Sequence, residues 1–239
     1  MKYSQRPKYE RRNETIAVLV MILLCIPVLF IYFSFFANAF ILDSTGELTL
    51  QNFQFLYQPI QLSQYTVEPI GKAFRNTVIF TAIATTLEVT ISCMAGYALA
   101  RMEFTGKRVI SFSLLTLRLF PGVLLLIGVL YVLLHLGILN TLTGVIVVAI
   151  ALRLPGSTFI IRNFFAGIPQ DIENSALVDG CNRLTAFFQV IIHMVKPGLA
   201  SISIFAFMSA WSNYLLFNVL IFNTKTPVLA TYLRVLSRN

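Results

Sequence analysis

The stretch from Ile16 to Phe36, IAVLVMILLCIPVLFIYFSFF, carries no charged residue. As a helix rising 1.5 Å per residue, about 21 residues cross the ~30 Å hydrocarbon core of a bilayer. Similar runs recur, and their lengths predict helical spans over about 16–40, 73–100, 109–135, 142–165 and 186–210. The competing reading is a soluble domain with a large core. It fails on charge: 12% of the residues are charged and 57% hydrophobic, whereas soluble domains carry roughly 25% charged residues. The expected fold class is all-α, a polytopic helical membrane protein.

A net charge of +8 is compatible with nucleic-acid binding, but its placement answers to a membrane. Lys2, Arg6, Lys8, Arg11 and Arg12 precede the first apolar run; Arg101, Lys107 and Arg108 follow the second; Arg162 and Arg183 bracket a polar loop near 166–185. The first intervening loop holds Lys72 against Asp43, Glu47 and Glu68, and the loop at 136–141 holds no Lys or Arg. Basic residues on alternate loops orient a polytopic chain with those loops in the cytoplasm. The expectation is a basic cytoplasmic leader over 1–15 and one transmembrane domain over 16–239, N-terminus inside, with no nucleic-acid partner. Ala37-Asn38-Ala39 resembles a signal-peptidase site. The preceding apolar run is nevertheless too long for a secretory leader of about 7–15 apolar residues, so the first span is expected to remain. The tail charges Lys225, Arg234 and Arg238 fall on the outer side, which raises the expectation of a chain stopping short of a sixth span.

No catalytic constellation is visible. Gly71-Lys72 and Gly106-Lys107 continue as Ala73 and Arg108, without the hydroxyl residue and earlier glycine of a phosphate-binding loop. His135 and His193 lack ligand spacing, and Cys25, Cys93 and Cys181 are scattered and odd in number, which supports neither disulfides nor zinc. Ser111, Ser157 and Ser209 lie in apolar runs, where a hydroxyl bonding within or between helices explains them better than a nucleophile. No metal or cofactor is expected on this chain. Charge within the spans stands out instead. Glu88, Arg118 and Arg153 would each cost at least ~2.5 kcal/mol facing lipid at mid-bilayer. They either line a substrate path or pair to fix helix packing, with Arg153 also able to snorkel to the outer interface.

The loop reads IPQDIENSALVDGCNRLTAFFQV over 168–190. Pro169 suits a first helical turn, and Asp171 and Glu173 set negative charge at the positive end of the helix dipole. Ile172 and Ala176 share a face with Leu177 beside them. Gly180 can adopt the left-handed conformation that ends a helix. Asn182 can cap a second helix that leads through Leu184, Phe187, Phe188 and Ile191 into the last run. The pattern predicts a short helix, a turn and another helix on the cytoplasmic face. Helices resting on lipid favour Lys and Arg on their polar side; acids there point to a protein partner.

ENSALVDG, about a dozen residues before Lys196-Pro197, resembles the EAA loop of inner-membrane permease subunits of bacterial binding-protein-dependent ABC importers. Glu173, Ala176, Asp179, Gly180, Phe187 and Pro197 match its pattern; Asn174 and Ser175 replace two alanines, and Cys181 replaces a third. FRNTVIFTAIATTLEV, AGYALARMEFTGKR, LGILNT, IRNFFAGIPQDIE and LTLQNFQFLY resemble segments of carbohydrate-type permeases of the maltose-importer class. AWSNYLLF resembles the end of their fifth span, keeping Trp211 and an aromatic at Tyr214 while Ser212 and Asn213 differ. Together these cover about 48–232.

The resemblance implies a type I ABC importer transmembrane domain in a bacterial inner membrane. Implied partners are a second permease, a cytoplasmic ATPase dimer binding ATP and Mg, and an extracytoplasmic solute-binding protein. Glu173, Ala176, Asp179 and Gly180 would couple to the ATPase, with Glu173 in or near the contact. Trp211, Asn213 and Tyr214 join Glu88, Arg118 and Arg153 as candidates for the translocation path. A sugar or polyol is the expected cargo. A self-sufficient channel or secondary transporter would instead show inverted repeats, and the chain shows none.

Overall fold

The structure, a computed structural model, describes residues 8–41, 46–61, 66–67, 69–222 and 227–236. Lys2, Arg6, Asp43, Glu68, Lys225 and Arg238, which enter the orientation argument, lie outside the described residues. The chain divides into two compact units, Met1–Pro69 and Ile70–Asn239.

The first unit is led by helix α1 (Lys8–Asn38), which contains Pro27 without ending there. Beyond it the backbone turns back through a bridge between Ile41 and Leu48. Asn52 donates its side-chain amide to the carbonyls of Ala39 and Ile41 at 3.1 and 2.9 Å. The Phe40 ring lies 5.2 Å from both Phe36 and Phe53. A two-residue antiparallel ladder joins β1 (Ile60–Gln61) to β2 (Thr66–Val67).

The second unit is built on α2 (Gly71–Arg101), α5 (Leu142–Ala166) and α9 (Lys196–Trp211). At 31 residues, α2 extends about 46 Å. Its buried stripe runs Ala73, Thr77, Phe80, Ala84, Glu88, Ser92 and Gly96, the three-and-four spacing of one helical face. In α9 the buried positions are Gly198, Ile202, Ala206 and Ala210, mostly small residues that let helix backbones approach. Gly96 and Gly198 mark close approaches of α2 and α9 to α5. A Cβ on Gly96 would come 2.5 Å from Ile161 Cγ2 and 3.1 Å from the Arg162 backbone nitrogen of α5, and one on Gly198 would come 2.5 Å from the Phe164 ring.

Two apolar clusters fill the unit. One gathers Phe80, Leu126, Val145, Ala149, Phe217 and Leu220; the other gathers Tyr97, Ile161, Phe165, Phe187, Ile191 and Ile202. Beside the first, α10 (Tyr214–Leu220) and α11 (Leu229–Leu236) are tied back. Asn76 donates to the Pro227 carbonyl at 2.9 Å, and the Leu229 amide donates to Thr77 Oγ1 at 2.9 Å.

Among the described residues, three helices are long and apolar enough to cross a membrane: Ile16–Asn38, α2 and α5. The continuous spans expected over 109–135 and 186–210 are each broken. The first splits into α3 (Lys107–Leu117) and α4 (Gly122–His135), bent by 108°. Pro121, which has no amide to continue a helix, precedes α4 with an extended ψ of 122°. The second splits at Val195, where Pro197 opens α9 and the bend is 77°. Counting each bent pair as one span restores the expected five.

Candidate functional site

The loop between α5 and α9 folds as its sequence predicts. Helix α6 (Gln170–Val178) starts after Pro169 and carries Asp171 and Glu173 in its first turn. At its end Cys181 N donates to Ala176 O and Gly180 N to Leu177 O, both at 3.1 Å. These two bonds, with Gly180 at φ +91°, form the Schellman stop. Asn182 then caps α7 (Arg183–Ala186), its Oδ1 accepting from Thr185 N at 2.7 Å. A π-helical turn (Phe187–Ile191) and α8 (Ile192–Met194) complete the return to α9.

The two faces of this loop differ. Val178, Leu184 and Phe188 are 86%, 71% and 63% exposed, so large apolar side chains stand in the open, and Asp179 and Gly180 are exposed with them. Ala176 and Glu173 are buried. Glu173, which the resemblance sets in or near an ATPase contact, has its carboxylate turned toward α2. Tyr97 donates its hydroxyl to Glu173 Oε1 at 2.6 Å. Arg101 Nε faces Glu173 Oε2 at 3.5 Å, both atoms buried and without a hydrogen bond, while Arg101 Nη2 donates to the Ile168 carbonyl at 2.6 Å. The Tyr97 ring is held between Phe187 and Phe165, with centroids 4.7 and 5.5 Å away.

Of the three candidate charges Glu88, Arg118 and Arg153, the structure pairs two and sets one apart. Arg153 Nε on α5 donates to Glu88 Oε2 on α2 at 3.0 Å, and its Nη2 donates to the Phe205 carbonyl of α9 at 2.8 Å. Ser157 donates its hydroxyl to the other oxygen of Glu88, a bond between helices of the kind expected for it. Glu88 is buried and Arg153 partly so. One ion pair thus joins three helices, as the packing reading requires. Arg118 caps the end of α3, is exposed, and sets its guanidinium carbon 5.8 Å from the Phe159 ring centroid. A cation there complements the carbonyl end of the helix.

Trp211 and Tyr214 are partly exposed. Trp211 stacks on Phe207 at 5.8 Å and meets Phe74 edge-on at 6.2 Å. Asn213 is the N-cap of α10. Sequence reasoning missed Tyr97 altogether and took Arg101 only as an orienting charge, although the two are four apart and so share a face of α2. It also missed Asn140, whose side chain accepts from Phe222 N at 2.9 Å at φ +66°, pinning the 136–141 loop to the end of α10. Among the described residues no three His, Cys, Asp or Glu side chains gather as a metal site.

Membrane-length helices, two broken spans and a helix–turn–helix that is anchored on one face and apolar on the other define a polytopic helical membrane protein. Over residues 88–234 the chain matches the family described as binding-protein-dependent transport system inner membrane component, and it belongs to that family. It is 34% identical over 208 residues to the diacetylchitobiose uptake system permease protein NgcG of Streptomyces coelicolor, covering 85% of this chain and 67% of that one. It is 30% identical to the inner membrane ABC transporter permease protein YcjP of Escherichia coli, covering 71% and 58%. To the sulfoquinovosyl glycerol transport system permease protein SmoH of Agrobacterium fabrum it is 32% identical, covering 80% and 67%. The chain therefore spans about three fifths to two thirds of the length of these relatives. Its fold matches a bacterial ABC transporter involved in import of the acidic polysaccharide alginate, with a TM-score of 0.78 at 19% identity over 97% of this chain and 82% of that one.

Proposed function

We propose that this chain is the membrane-spanning permease subunit of an ATP-driven ABC importer for a sugar, glycoside or polyol. It sits in a bacterial inner membrane with its N-terminus in the cytoplasm, pairs with a second permease and receives solute from an extracytoplasmic binding protein. A cytoplasmic ATPase dimer binds ATP and Mg and docks on the loop over about 166–185. The observation that carries the reading is the two-faced loop. An exposed apolar surface at Val178, Leu184 and Phe188 suits a groove on another protein, and a helix stopped at Gly180 and recapped at Asn182 is stiff enough to act as a lever. Rigid-body movement of packed elements requires that stiffness.

Three of the relatives are named as permease proteins of a diacetylchitobiose uptake system and of sulfoquinovosyl glycerol and trehalose transport systems, which supports a carbohydrate cargo. Arg118, Trp211 and Tyr214, exposed at a helix break or a helix end, are the chain's candidates for contact with the solute path. Glu88 and Arg153 act as the packing joint beside it. Reconstitution in proteoliposomes tests the reading: uptake of trehalose or diacetylchitobiose should require ATP, the ATPase and the binding protein together. Uptake by this chain alone down a gradient would make it a self-sufficient carrier.

A further inference from the structure

The buried glutamate of the loop calls for a role other than partner contact. Glu173 is 4% exposed, and its carboxylate meets a hydroxyl and a guanidinium that both stand on the last turns of α2. Tyr97 is itself wedged between Phe165 at the end of α5 and Phe187 just beyond α7. Arg101 reaches past Glu173 to the Ile168 carbonyl, one residue before Pro169 at the head of α6. The joint is not fully closed: Arg101 Nε and Glu173 Oε2 remain 3.5 Å apart, each buried and lacking a hydrogen bond. Buried donors and acceptors rarely stay unpaired without a structural or functional reason. A shift of about 0.6–0.8 Å would bring them to the usual length of a charge-assisted bond.

We infer that Tyr97 and Arg101 are positioning residues of the transport cycle, holding Glu173 so that displacement of α6 is delivered to α2, with the Arg101–Glu173 pair closing during that displacement. The inference rests on the proposed ATP-driven reading and assigns Glu173 to force transfer within the chain; the ATPase contact falls to the exposed apolar face. A hydrogen bond to a charged group biases an equilibrium by roughly tenfold or more, so loss of the Tyr97 hydroxyl has a measurable consequence.

The test uses the assembled complex in proteoliposomes, with Cys25, Cys93 and Cys181 replaced by serine and a reporter cysteine at exposed Ser212, just beyond α9. Maleimide labelling of the S212C reporter is compared with and without ATP and vanadate, a readout that needs no solute. With Tyr97→Phe, the ATPase should co-purify at wild-type yield and continue to hydrolyse ATP, while the nucleotide-dependent change in labelling falls about tenfold. Arg101→Lys, which keeps the charge, should give a smaller loss. Exchange of the charges in an Arg101→Glu, Glu173→Arg double variant should recover part of the response lost in either single variant. An unchanged response in Tyr97→Phe, or loss of the ATPase on purification, overturns the inference while leaving the proposed function standing. A wild-type complex whose labelling ignores nucleotide overturns both.

Discussion

Among the described residues two carboxylates are buried, Glu88 and Glu173, and their surroundings are built from the same parts. Glu88 takes the Ser157 hydroxyl and the Arg153 guanidinium, which also donates to the Phe205 carbonyl. Glu173 takes the Tyr97 hydroxyl and faces the Arg101 guanidinium, which also donates to the Ile168 carbonyl. The difference lies in what each joins and how tightly. The Glu88 pair closes at 3.0 Å among α2, α5 and α9, three of the longest packed elements. The Glu173 pair stands at 3.5 Å between α2 and a nine-residue helix. The same chemistry serves to weld in one place and to hinge in the other, and the element attached decides which.

Arg153→Ala should have the largest effect. It leaves Glu88 buried without its cation, at a cost of about 3–5 kcal/mol, so thermal unfolding of the purified chain in detergent should shift down by many degrees. An unshifted transition would show that the Glu88 joint is not a weld. Ser157→Ala removes one of its bonds and should cost about 1–2 kcal/mol, read from the same transition. Gly180→Val sharpens the other side of the comparison. A Cβ there meets nothing within 4 Å, so the penalty is purely the left-handed backbone, about 1–2 kcal/mol. Membrane insertion should be normal and ATP-driven uptake strongly reduced, whereas Gly180→Asn should be milder; normal uptake by the valine variant would count against a rigid loop. Smallest is Asn182→Ala, a lost helix cap of about 1 kcal/mol, detectable as faster amide exchange at Thr185 with little change in global unfolding.

Much of the loop is legible in the sequence because each signal is local. The glycine stop, the asparagine cap and the proline start are properties of single residues and their immediate neighbours. The breaks in the third and fifth runs are less so, since hydropathy records length and is blind to direction. Proline alone does not settle them: Pro27 and Pro155 sit inside unbroken helices, while Pro121 and Pro197 sit at breaks. The Glu88–Arg153 pairing is 65 residues apart in sequence and depends on how two helices register against each other. A substrate-path lining against a packing pair therefore stays open until the helices are placed. The inward turn of Glu173 leaves a local trace in the sequence. It stands three residues from Ala176, on the same helical face, yet a carboxylate in a first turn is equally explained by the helix dipole, so the sequence alone does not point it inward.

The glycines at 96 and 198 have a mechanical consequence. Each lets α5 come against a neighbouring backbone, and in each the blocking group is a bulky α5 side chain, Ile161 or Phe164, seated in the gap. A residue lodged this way fixes the register of the two helices along their axes. Both seats lie in the last quarter of α5, close to where the chain turns into the loop. An alanine at either position would therefore have to displace Ile161 or Phe164 before α2 or α9 could lie where it does, and each glycine sets how near the mouth of the loop its helix can come to α5.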